Sequence, residues 1–89
     1  MGFTERDIRK EERFLKENYP WLMKYYNEED SCICIPEKIF ARDDVVRRLV
    51  FSLISERTNT GRYVLFREQI VDDYGKLIPG YIVCMAEMV

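Results

Sequence analysis

Apolar residues along this chain recur with two periods, and the places where one gives way to the other mark the elements. From Thr4 the period is helical: Ile8, Leu15 and Leu22 return every seven residues, with Phe14 and Tyr19 alongside. That spacing predicts a charged helix with a narrow apolar stripe. Thr4 and Asp7 have capping-box spacing, and Phe3 and Ile8 are placed to staple the helix start. Glu5 and Asp7 fall in the first turn, where the helix dipole favours acids. Glu5–Arg9 and Glu12–Lys16 are spaced to pair along the outer face. Pro20 disfavours helical geometry at Tyr19 and lacks a backbone donor, so a break is expected near Asn18. A second, short helix then opens on Pro20 and carries Trp21, Leu22, Tyr25 and Tyr26. Asn27-Glu28-Glu29-Asp30 reads as a loop.

The period changes to two in Ser31-Cys32-Ile33-Cys34-Ile35-Pro36. Strand side chains alternate faces, so Cys32 and Cys34 point one way and Ile33 and Ile35 the other. A strand apolar on both faces is expected inside a sheet or under a helix. Pro36 ends it and can open the next helix.

Helical spacing returns with Val46, Leu49, Val50, Leu53 and Ile54. Carried backward, that face reaches the charged Arg42 and Asp43. A turn near Ala41 to Asp43 resolves the conflict: Ile39 and Phe40 turn inward on their own, and Asp43 caps the longer helix. Thr58-Asn59-Thr60-Gly61 is a stop, with Gly61 suited to a left-handed position.

Two strands complete the chain, flanking a turn at Asp72-Asp73-Tyr74-Gly75-Lys76. On the first, Val64, Phe66 and Ile70 share a face opposite Tyr63, Leu65 and Arg67. On the second, Ile82, Cys84, Ala86 and Met88 lie opposite Tyr81, Val83 and Met85. Pro79 and Gly80 weaken the start of that strand, as expected near a sheet edge or bulge.

The elements run helix, short helix, strand, helix or helix pair, strand, strand. They predict a single α+β domain over residues 1–89, with a three-stranded, mainly antiparallel sheet. This order is similar to that of a winged helix-turn-helix, in which a short first strand joins a terminal hairpin. The similarity spans most of the chain but rests on no residue motif. The first helix of the pair would span only Pro36 to Ala41, and the hairpin strands are long for a wing.

Composition narrows the class. The chain has 89 residues, of which 47% are hydrophobic and 34% charged, the balance of a folded domain with one modest core. Its 14 basic and 16 acidic side chains leave a net charge of −2. That gives no bias toward nucleic acid or an anionic membrane. No apolar run approaches the roughly 20 residues of a membrane span. The charged N-terminus does not read as a signal peptide, and Arg6 stands where a myristoylation motif wants Ser or Thr. Three cysteines, an odd number, suit a reducing compartment. The expectation is a cytoplasmic protein without a membrane partner.

The candidate chemistries are few. Zinc needs about four Cys or His ligands, and the chain has three Cys and no His. Cys84 could approach Cys32 or Cys34 across a sheet, but an acid would have to complete the site. Without CxxC or an adjacent helix N-terminus, a redox role also has little support. Free Cys packs as a small hydrophobe, and that reading is preferred. The lack of His excludes Ser-His and Cys-His nucleophiles. Ser52 and Ser55 have no base beside them in sequence. The pairs Asp43-Asp44 and Asp72-Asp73 fall at a helix start and a turn, where Asp serves local hydrogen bonding. There is no P-loop or dinucleotide-binding glycine pattern. Neither catalysis nor a cofactor is expected.

Two binding classes remain. Arg42, Arg47, Arg48, Arg62 and Lys76 occupy the places a winged helix would use against DNA, with Arg57 and Arg67 nearby. Asp43, Asp44, Asp72 and Asp73 lie beside them and weaken the phosphate attraction. The last strand is apolar on both faces. Tyr63, Leu65, Tyr81, Val83 and Met85 are the expected protein interface unless the N-terminal helices cover that face. Trp21, Tyr25 and Tyr26, followed by Glu28-Glu29-Asp30, form a second candidate surface. The favoured reading is a non-catalytic protein-binding module, regulating or inhibiting a larger protein or pairing with itself as a homodimer. By size and missing chemistry alone it is analogous to many phage and mobile-element products. The alternative is a winged-helix DNA-binding regulator.

Overall fold

A computed structural model describes residues 4–57 and 63–85. The protein is α+β: four helical segments lie with a four-stranded antiparallel sheet. The first helix, α1, spans Glu5–Asn18 and is closed at its start by a full capping box. Thr4 Oγ1 accepts from the Asp7 amide at 3.2 Å, and Asp7 Oδ2 accepts from the Thr4 amide at 3.1 Å. The staple expected from Phe3 lies outside the described residues. Pro20 acts as anticipated, ending α1 and opening a 3₁₀ helix over Pro20–Tyr25.

The sheet has one strand more than the alternation predicts. Tyr26–Asn27 forms a two-residue strand, β1, paired with β2, Cys32–Pro36. Its turn tightens because Asn27 Oδ1 accepts the Glu29 amide at 2.9 Å and Ser31 takes a left-handed φ of 56°. The stretch therefore reads as a loop in sequence, with too few residues to show a period.

The seam in the long helical stretch is real. Helix α2 spans Glu37–Arg42 and α3 spans Asp44–Arg57. Asp43 Oδ1 caps α3 by accepting from the Val45 and Val46 amides at 3.0 and 3.2 Å. The end of α3 is tied back to α1 by Tyr19, whose hydroxyl donates to Glu56 Oε2 at 2.6 Å. The stop expected at Thr58 to Gly61 lies outside the described residues.

Strands β3, Val64–Val71, and β4, Leu77–Cys84, form the hairpin. Asp72 builds its turn: Oδ1 accepts the Tyr74 and Lys76 amides at 2.9 and 2.8 Å. Gly75 supplies the positive φ, 77°, that the turn requires. The strand order is β1-β2-β4-β3, so β4 is an inner strand, and Pro79 and Gly80 fall where its β2 side runs out, in keeping with the expected nearness to a sheet edge. Register explains the tolerance. The pairing of β2 with β4 ends at Pro36↔Gly80, while β3 continues past it to Gln69↔Pro79. Pro79 thus has a partner strand on one side only, and its missing donor costs no ladder bond.

Strand β2, the α2–α3 pair and the hairpin follow one another in that order, with β2 joined to the final strand. All the helices contribute to one core, which includes Leu15, Leu22, Val50 and Leu53. It lies against the sheet face carrying Ile33, Ile35, Tyr81 and Val83. Phe40 of α2 sits over Tyr81 with ring centroids 4.4 Å apart.

Candidate functional site

Register fixes which side chains share each face, because residues directly paired in an antiparallel sheet point the same way. Ile33 is paired with Val83 and Val83 with Leu65; Ile35 is paired with Tyr81 and Tyr81 with Arg67. These make the helix-covered face. Val83 is 0% exposed and Tyr63 6%, while Leu65, Tyr81 and Met85 pack against the same core. The Tyr63 hydroxyl donates to the buried Glu11 carboxylate at 3.2 Å. This corrects the expected interface: the five residues Tyr63, Leu65, Tyr81, Val83 and Met85 are occupied by the helices and do not form a free face.

The opposite face is the barer one, although Ile70 on it is buried. It carries Cys32 and Cys34 from β2, Ile78, Ile82 and Cys84 from β4, and Val64, Phe66 and Ile70 from β3. Phe66 is 40% exposed and Val64 42%. Among the described residues of β2, β3 and β4, Glu68 is the one charged side chain on it. The long edge of the sheet is β3, whose middle residues are Arg67 and Glu68, while the short β1 forms the other edge. Arg67 is held by Glu37 of α2 at 2.8 Å.

The three cysteines gather on this face. Cys32 and Cys84 are directly paired across β2 and β4, and Cys34 stands two residues along. The Cys32 thiol donates to the Asp30 carbonyl oxygen at 3.2 Å. Burial first, then the Cys84 and Cys34 thiols and Asp30, push the Cys32 pKa up to about 12. Burial and Asp30 also raise that of Cys34. Among the described residues no three Cys, Asp or Glu side chains meet where a metal could be held.

The basic residues are dispersed. Arg42, Arg48 and Lys76 are exposed, and Arg62 lies outside the described residues. Arg47 is committed to the fold: its Nη1 donates to the Phe40 and Ala41 carbonyls at 2.8 and 2.6 Å, capping the end of α2, and it also pairs with Asp44. Between these cations, α3 presents Val45 and Phe51 to solvent, and the hairpin tip presents Asp73. A charge cluster that averaging over long stretches conceals lies on α1. There Arg6, Arg9, Lys10 and Arg13 line one ridge around an open groove of about 480 Å³. Their i, i+3, i+4, i+7 spacing is the signal that reveals them.

The carboxylate pairs are taken up locally, Asp43 in its cap, Asp44 by Arg47 and Asp72 in its turn. Trp21 is largely exposed, whereas Tyr25 and Tyr26 pack against the core. Among the described residues, no helix is long and apolar enough to cross a membrane. No family model, curated protein or solved structure matches this chain.

Proposed function

We propose that this protein is a small non-catalytic protein-binding module, a regulator or inhibitor of a larger protein, that also pairs with itself through the bare face of its sheet. The carrying observation is that face: apolar across three strands, with Glu68 its one charged side chain there among the described residues. A near-neutral apolar surface meets its own copy without like-charge repulsion. Edge pairing is less suited. Two β3 strands centred on one another would set Arg67 against Arg67 or Glu68 against Glu68, the usual protection of an edge. Three strands of this length span roughly 15 by 25 Å, about 400 Å² per copy. That is at the weak end of specific interfaces, so the pairing is concentration-dependent and leaves the face open to a larger partner.

The observation favouring DNA is the winged-helix connectivity. Against it stand the capping role of Arg47, the exposed Val45 and Phe51 on α3, and the acidic hairpin tip. Light scattering over a concentration series, with and without a mixed-sequence duplex at low salt, separates the two. A dimer that weakens in Ile82→Asp and ignores DNA supports the proposal. A concentration-independent monomer that shifts onto DNA and leaves it as salt rises overturns it.

A further inference from the structure

We propose that Cys32 and Cys84 form a closable dithiol, oxidised by a small-molecule disulfide to a bond that ties β2 to β4. Three observations carry this. The first is register: the two residues are direct partners in an antiparallel ladder. Their α-carbons therefore stand roughly 4.5–5.5 Å apart, inside the window of about 4.4–6.8 Å that a disulfide spans. The second is closeness: the Cys84 thiol is among the groups that push the Cys32 pKa up. The third is access: an open pocket of about 360 Å³ is lined by both, together with Ile8, Asp30, Ser31 and Met85.

Cys34 is on the same face but outside that set. It is paired with Ile82, which leaves it diagonal to Cys84 at roughly 7–8 Å. From Cys32 it is separated by two residues of extended chain, roughly 6.6 Å, at the far limit of that window and fixed by the strand, where Cys84 is closer. It does not line the pocket.

The step balances with a disulfide RSSR as oxidant. One cysteine, as thiolate, attacks a sulfur of RSSR, the RS–SR bond breaks, and RS⁻ leaves and takes up a proton. The second cysteine loses its proton and attacks the protein sulfur of the mixed disulfide, which expels the second RS⁻. Two thiols have given up two electrons and two protons, and RSSR has become two RSH. The high pKa of Cys32 keeps exchange slow near neutral pH and speeds it as pH rises. The bond closes a loop containing α2, α3 and β3, and so restrains the unfolded chain. It does not depend on which partner the sheet face meets.

The experiment is oxidation of the dilute native chain with glutathione disulfide, followed by alkylation and peptide mapping by mass spectrometry. The expected product has lost two hydrogens, joins Cys32 to Cys84, leaves Cys34 alkylated, and melts roughly 10 °C or more higher until reduced. Cys34→Ser retains this bond, and Cys84→Ser replaces it with a glutathione adduct. Stable adducts on the wild-type pair, a cross-link through Cys34, or the same product mixture in urea would each overturn the proposal.

Discussion

At the scale of single residues, the fold is sensitive where side chains meet backbone. A methyl added to Gly80 would lie 2.7 Å from Ile70 Cδ1 and 2.9 Å from the Ile35 carbonyl oxygen. The Ile70 side chain can move, but the β2 backbone cannot, so Gly80→Ala should cost about 1–3 kcal/mol. Ile70→Val in the same chain should recover only part of it; full recovery in urea melts would mean that the carbonyl contact is unimportant. Ionisation gives a second test. Burial above all pushes Tyr26 up to about 12, with Glu12 adding to the shift and a Ser31 hydrogen bond opposing it. Cys32 behaves alike. Both groups keep their protons longer when folded. As pH rises, the unfolded chain therefore loses protons first, and stability falls between about pH 9 and 12. Thermal melts across that range should show the loss, with a shallower slope in Cys32→Ser.

At the scale of elements, the α2–α3 corner is held by two caps acting in opposite directions. Asp43 closes the start of α3 and Arg47 closes the end of α2. Asp43→Ala should cost about 1 kcal/mol, and Arg47→Ala a similar amount through lost carbonyl contacts. Chemical denaturation measures both. An Arg47→Ala protein as stable as the parent would return that arginine to the surface and revive its candidacy as a phosphate contact. Much of this corner is legible in sequence. A charged pair interrupting an apolar helical face demands a break, and Asp followed by a renewed period is a start signal. The two-residue β1 is not legible, because a period cannot be seen in two positions. The buried Glu11 is not legible either: it lies on a charged helix and is drawn in by Tyr63, 52 residues away along the chain.

At the scale of the molecule, the two sheet faces should respond differently to one substitution. Val83 has no exposure, so Val83→Asp places a carboxylate in the core at a cost of roughly 3–5 kcal/mol. That is a large part of the roughly 4–13 kcal/mol expected for a domain of this length, and circular dichroism should show a largely unfolded chain. Phe66→Asp alters the bare face and should leave the melt within about 1 kcal/mol of the parent while weakening self-association. If the two variants unfolded equally, the bare face would be a second core.

Local pattern alone determined the start of α1, the break at Pro20, the α2–α3 seam and the hairpin turn, and which strand residues share a face; it did not determine β1. Caps, proline geometry and side-chain alternation act over a few residues and leave their marks in order along the chain. Tertiary structure decided which face the helices cover. Alternation cannot settle this for strands apolar on both sides, and reading the Tyr63–Val83 side as free was an error of that kind. The physical reason is that burial depends on which elements meet in space, and the side that packs against the helices is set by how β2, β4 and β3 pair over long stretches of chain. The meeting of Cys32 with Cys84 was likewise decided by β4 entering the sheet beside β2, a pairing between the two ends of the fold that no local pattern encodes.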